Sequence, residues 1–169
     1  VFLGLVLGLM MCFDLGGPVN KAAYLFATAG LAAQTDASFQ IMAAVMCAGM
    51  VPPLALALAT TVRSKLFTEV ELENGRAAWL LGAAFISEGA IPFAASDPLR
   101  VIPSMMLGGA VTGSLSMALA VGSRAPHGGL LVVPLMTNAL GFLIALLAGV
   151  IVAGIAVIAA KQFWPVKQV

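Results

Sequence analysis

Charge is what this chain has least of. Asp, Glu, Lys and Arg make up only 9% of its 169 residues, against 62% hydrophobic ones. A soluble domain carries about 25% charged residues, so a water-soluble fold is excluded and an integral membrane protein is expected. Neither sign dominates: a net charge of +1 leaves no electrostatic footprint for nucleic acid. Cysteine is equally scarce. Cys12 and Cys47 both lie in apolar runs, without the spacing or polar neighbours of a metal or redox pair. They read as small buried hydrophobes, and neither a metal nor another cofactor is expected. No leader peptide is expected in this stretch. The first residue is Val1, already inside an apolar run, and the expectation is a piece cut from a longer protein.

What is there is a series of apolar runs with conspicuous interruptions. Roughly four to five spans of about 20 residues each are expected. Residues 1–62 hold two membrane segments, the first broken at 14–21 and read either as one long span or as a span followed by a half-helix. Ala37 to Val62 carries no charge and is kinked at Pro52 and Pro53. Residues 63–76 form a polar loop, 77–103 a segment broken by Gly89, Pro92, Pro98 and Pro103, and 104–160 two further helices interrupted at 124–129. Gly109 and Gly113 are spaced for close helix approach. Met42, Met46 and Met50 are spaced for a packing face. A tail over 161–169 carries Lys161 and an interfacial Trp164.

Lys and Arg set the orientation. Arg63, Lys65 and Arg76 lie in the 63–76 loop and Lys161 and Lys167 in the tail, whereas the turn near Asp36 has none. If loop and tail are both cytoplasmic, the chain crosses an even number of times between them. Residues 104–160 supply two crossings, so 77–103 should dip in and return. The fold expected is all-α, a polytopic membrane protein with broken helices and at least one re-entrant hairpin.

Ionisable groups at membrane depth are costly and by default face a polar cavity. Three clusters stand at the breaks: Asp14, Asn20 and Lys21; Glu88, Asp97 and Arg100; Arg124 and His127. Such a set of donors and acceptors suits a neutral sugar. Asp14 and Lys21 read either as ligand contacts or as an ion pair that holds the break. Asp97 and Arg100, three apart, read as a structural pair at the start of the next helix, and Arg124 as an interfacial charge. Glu88 has no basic residue within ten positions and is the residue read as binding ligand; His127 sits on irregular backbone and reads as a second contact.

Three stretches carry a resemblance: Asp14-Leu-Gly-Gly-Pro-Val-Asn-Lys-Ala-Ala-Tyr24, Ser87-Glu-Gly-Ala-Ile-Pro-Phe-Ala-Ala-Ser-Asp-Pro-Leu-Arg-Val-Ile-Pro103 and Ala125-Pro-His-Gly-Gly129. Together they resemble the fructose-specific enzyme IIC component of the bacterial phosphoenolpyruvate:sugar phosphotransferase system, in its sugar-binding, C-terminal half. The resemblance implies a multi-pass permease of the bacterial inner membrane, its C-terminus cytoplasmic. It implies that a sugar, fructose foremost, is carried inward and phosphorylated there by a phosphocysteine on a separate IIB domain. It also implies an N-terminal scaffold half and a homodimer. Neither cysteine here matches the phosphorylated one, so the fragment alone should not catalyse transfer. Glu88 takes the place of a hairpin glutamate that touches the phosphorylated hydroxyl, where a carboxylate can orient it and accept its proton. Asn20 and His127 take the place of further sugar contacts, and Lys21 and Asp14 are expected beside them as sugar-binding residues. An ion-coupled secondary sugar transporter and a non-transporting membrane subunit are the alternatives.

Overall fold

A computed structural model describes residues 2–14, 17–84, 86–96, 98–123, 133–134, 136 and 138–163. Every regular element among them is helical: α1 (Phe2–Phe13), α2 (Pro18–Gly30), α3 (Asp36–Val62), α4 (Glu69–Ala83), α5 (Ile91–Ser96), α6 (Pro98–Ala118) and α7 (Ala139–Phe163). Short 3₁₀ turns occupy Leu31–Ala33, Ser64–Leu66 and Ser87–Ala90. The chain is thus an all-α membrane protein, and three helices, α3, α6 and α7, are long and apolar enough to span. The outer face of α7 shows why water is not its solvent. Leu140, Ile144, Leu147, Ile151 and Ile155 are all exposed and fall on one helical stripe, a patch that only lipid or protein covers comfortably.

α3 is the axis of the bundle. Thr35 and Ser38 close a capping box at its start, which satisfies backbone donors that a helix end leaves open. From Met42 to Ala57 its residues are buried on every face, including Met42, Met46 and Met50, which are fully buried. A 27-residue helix rises about 40 Å, so residues 48–53 mark its middle.

The other elements can be placed against this ruler. α6 runs antiparallel to α3: Gly108 packs on Val51, and beyond its end the Ser123 amide donates to Phe39 O near the start of α3. α7 runs back parallel to α3. The Cys47 thiol donates to Phe142 O at 3.6 Å, Gly154 faces Leu58 and Ala55, and Lys161 reaches Glu71 beyond the end of α3. Chain reversal before α7 is fixed by Asn138, which adopts a φ of 56°, donates its amide to Leu119 O and accepts the Gly141 N–H.

Two segments fold back on themselves beside α3. α1 has 12 residues and opens the first of them. It lies antiparallel to α6, with Gly4 on Gly113 and Gly8 on Gly109 backbone to backbone; the glycine pair of α6 meets a second glycine pair, and no side chain fits between them. α1 stops beside the middle of α3, and α2 returns toward the α3 start, where Gly30 approaches Ser38. The region read as one broken span or as a span with a half-helix forms two helices, α1 and α2, folded on each other. The reason is local: Asp14, Gly17 and Pro18 supply a turn that no straight helix contains.

The second such segment begins at the far end of α3. α4 descends antiparallel to it, Gly75 against Thr60 and Gly82 against Leu54 and Pro53. The turn at Ser87–Ala90 follows, with Gly89 against Pro53 and Leu81. α5 then leads back, because Phe93 meets Phe67 edge to face at 6.2 Å, and Phe67 lies in the α3–α4 connection. Two boundaries differ from those expected. The polar loop ends at Thr68, where a Thr68–Glu71 capping box starts α4, so residues 69–76 are helix. α6 begins at Pro98, whose missing amide would have had no intrahelical partner, and carries Pro103 inside the helix.

Candidate functional site

The two folded-back segments approach α3 from opposite ends and turn near its middle. Just before the first turn, the Cys12 thiol donates to Ala48 O at 3.4 Å. At the second, Gly89 packs on Pro53. Those positions on α3 are separated by about 7.5 Å of helix rise.

The first turn is held by its own polar groups. Asp14 Oδ2 accepts the Val19 N–H at 2.7 Å and Oδ1 the Asn20 N–H at 2.9 Å, with Pro18 in the first turn of α2. A carboxylate at the positive end of a helix, taking two of its open donors, is a strong cap. The Asn20 amide, 7% exposed, donates to Met11 O at 2.8 Å and so ties α2 to the end of α1. Lys21 occupies an exposed position. Asp14 is thus bonded to backbone at both oxygens, and its partner is the helix end rather than Lys21.

Glu88 lies in the second turn, on the 3₁₀ backbone of Ser87–Ala90, at the level of Pro53. Arg100 is buried in the first turns of α6, 6% exposed, its carbonyl accepting the Ser104 hydroxyl at 2.7 Å. Asp97, the break at 124–129 with Arg124 and His127, and Trp164 of the tail lie outside the described residues. Of the expected site residues, then, the structure sets Asp14 and Asn20 at one turn and Glu88 at the other.

The end of the bundle from which α4 descends is the basic one. Arg63 and Lys65 are exposed there, and a hollow of about 390 Å³ is lined by Val62, Arg63, Ser64, Lys65 and Gln162. It belongs to the loop and not to the turns at mid-height.

Sequence reasoning missed Glu71. Placed in a solvated loop by its polar neighbours, it is 5% exposed and stands beside Lys161. Thr68-Glu-Val-Glu71 is a legible capping-box signature; nothing local announces the distant lysine.

Known proteins are similar to this chain along nearly its whole length. The PTS system fructose-specific EIIB'BC component of Escherichia coli K12 is 55% identical over 159 residues, 92% of this chain and 28% of that protein. The protein of the same description from Rhodobacter capsulatus is 52% identical over 171 residues, 99% of this chain and 29% of its own length. The PTS system fructose-specific EIIC component of Haloferax volcanii is 46% identical over 168 residues, covering 99% of this chain and 44% of that protein. The chain therefore spans less than half the length of these relatives. No protein-family profile matches it, and no solved structure does.

Proposed function

We infer that this chain is a membrane segment of the fructose-specific EIIC family of the phosphotransferase system, and that it forms the part which binds the sugar and carries it inward. The observation that carries this reading is the pair of polar turns at the middle of α3, one of them bearing Glu88 in a stretch that resembles that family's. Broken backbone at this depth is tolerated only where protein or a wet cavity covers it, and helix ends facing such a cavity add N–H and C=O groups to the side chains.

In this reading the basic end is cytoplasmic, as the excess of Arg63, Lys65 and Lys161 favours. The α4–α5 hairpin then opens to the cytoplasm, the α1–α2 hairpin opens outside, and the C-terminus is cytoplasmic. Sugar entering from outside meets the α1–α2 turn, where Asn20 has an amide oxygen to offer and Lys21 a donor. Asp14 acts one step back: its carboxylate shapes the turn instead of touching sugar. Glu88 orients the acceptor hydroxyl and takes its proton as it attacks phosphorus. His127 completes the donor set.

The phosphoryl group comes from a phosphocysteine on a IIB domain that docks at the basic end; relatives described as EIIB'BC combine such parts in one protein. The S–P bond breaks, the hydroxyl oxygen forms the new O–P bond, the thiolate leaves and the proton passes to Glu88. A scaffold half and dimerisation complete the permease in its bacterial inner membrane.

The test is uptake of labelled fructose by cells whose only fructose permease is the intact protein. Uptake should stop when the phosphocarrier proteins are deleted, and product should appear as sugar phosphate. Uptake that survives the deletion and collapses with the proton gradient would contradict this reading.

A further inference from the structure

Four elements converge on one buried cation at the end where the α4–α5 hairpin opens. Lys161, in the last turn of α7, is 6% exposed, and its Nζ stands 3.9 Å from Glu71 Oε2. The same ammonium lies 4.9 Å from the centre of the Phe67 ring. Phe67 in turn takes Phe93 of α5 edge to face. Glu71 Oε1 accepts the Thr68 N–H at 3.1 Å, while Thr68 Oγ1 accepts the Glu71 N–H at 3.2 Å. One carboxylate thus fixes the start of the ingoing arm with one oxygen and ties it to α7 with the other. The aromatic pair ties the returning arm to the same point.

A buried ion pair is a weak device for stability, because desolvation offsets the attraction. At 3.9 Å this pair is longer than a hydrogen bond, and Glu71 Oε2 accepts none. In some proteins what a buried charged pair adds over an apolar one of the same volume is register. Register matters here because α4 is a rod. From Glu71 to its inner end at Ala83 it rises about 18 Å, and there Gly82 meets Pro53 and Leu54 without room for a side chain. A tilt at the outer end therefore moves the inner turn.

We propose that Glu71 and Lys161 are positioning residues for the Ser87–Ala90 turn, holding the hairpin at the depth and angle that phosphoryl transfer to the sugar requires. The proposal rests on the functional reading above. Neither residue touches sugar; both act through the hairpin.

The test uses the intact permease with its donor domain. Sugar phosphorylation, equilibrium fructose binding and thermal unfolding are measured for Glu71→Gln, Lys161→Met, the double variant and Lys161→Arg. Each single change removes one charge of the pair and is expected to weaken folding. The double variant removes both charges and is expected to unfold where the wild type does. Its kcat is expected to fall by about 10- to 100-fold, since a misplacement of about 1 Å costs on the order of 100-fold, with KM and fructose binding unchanged. Lys161→Arg is expected to keep most of the rate. A double variant with wild-type kcat overturns the proposal, as does a loss of kcat that only follows the folded fraction. A wild-type permease that phosphorylates no sugar overturns the functional reading itself, and the proposal with it.

Discussion

The thiol of Cys12 donates to the carbonyl oxygen of Ala48 at 3.4 Å, and that carbonyl is the one Pro52 leaves without an intrahelical donor. Proline has no N–H, so residue i−4 loses its partner. In water the loss would be made good by solvent; at the middle of a buried helix it must be made good by protein. α1 ends beside Pro52 of α3 and supplies the missing donor. Cys12→Ala should therefore cost about 1–3 kcal/mol, the range for stranding a buried acceptor, whereas Cys12→Ser should be close to neutral. Adding Pro52→Ala to Cys12→Ala should return most of the loss, because the alanine N–H would restore the helix bond. Unfolding in detergent, run as a double-mutant cycle, checks this; strictly additive changes would show that the two sites are independent.

The contact of α1 with α6 is expected to tolerate no side chain. Gly8 and Gly109 touch through backbone atoms, as do Gly4 and Gly113. Gly109→Val should destabilise by about 1–3 kcal/mol through overpacking, and by more if α1 separates from α6 altogether. A melting temperature equal to wild type would mean that the helices are not in contact in the membrane.

Asp14 is expected to behave as a helix cap. Asp14→Ala should cost about 0.5–2 kcal/mol, whereas Asp14→Asn should keep most of the stability, since an amide oxygen can still accept from the start of α2. If Asp14 instead held sugar through its charge, Asp14→Asn would lose fructose affinity with no change in unfolding. Calorimetric binding and thermal unfolding of the same preparation separate the two outcomes.

Orientation is open to a labelling experiment. Cys12 and Cys47 are fully buried and add no labelling of their own; cysteines elsewhere in the intact protein are replaced first. A cysteine at Gln34, exposed beside the start of α3, should react with an impermeant thiol reagent on intact cells. One at Lys65, at the opposite end, should react only after the membrane is opened. The reverse pattern would invert the proposed orientation and put the α4–α5 hairpin outside.

How much of this could be read from the chain depends on the range of the interaction. Breaks near Asp14–Pro18 and Gly89–Pro103 are legible because Gly, Pro and charge interrupt apolar runs locally. α3 is legible almost to the residue, because a long uncharged run in a membrane has few other options. The fold-back of α1 on α2 is not, since apolar sequence on both sides of a break suits a kinked span and a hairpin equally well. What separates them is the close packing of Gly4 and Gly8 on α6, a contact more than 100 positions away in a chain of 169. Glu71 illustrates the same point: its neighbours Glu69 and Glu73 mark a solvated face, and only Lys161 explains its burial. Of the site residues, the turns that carry Asn20 and Glu88 are legible, while the role of Asp14 as a backbone cap depends on a bend that its local sequence permits but does not require.

The central claim is that Glu88 handles the acceptor hydroxyl, and one substitution tests it most directly. In the intact permease, Glu88→Gln keeps the size of the side chain and removes its ability to accept a proton. Phosphorylation of fructose by the phosphorylated IIB domain should fall by about 100- to 10,000-fold, the usual share of a general base, with thermal unfolding unchanged. Fructose phosphorylation at the wild-type rate by a folded Glu88→Gln permease would remove Glu88 from the chemistry.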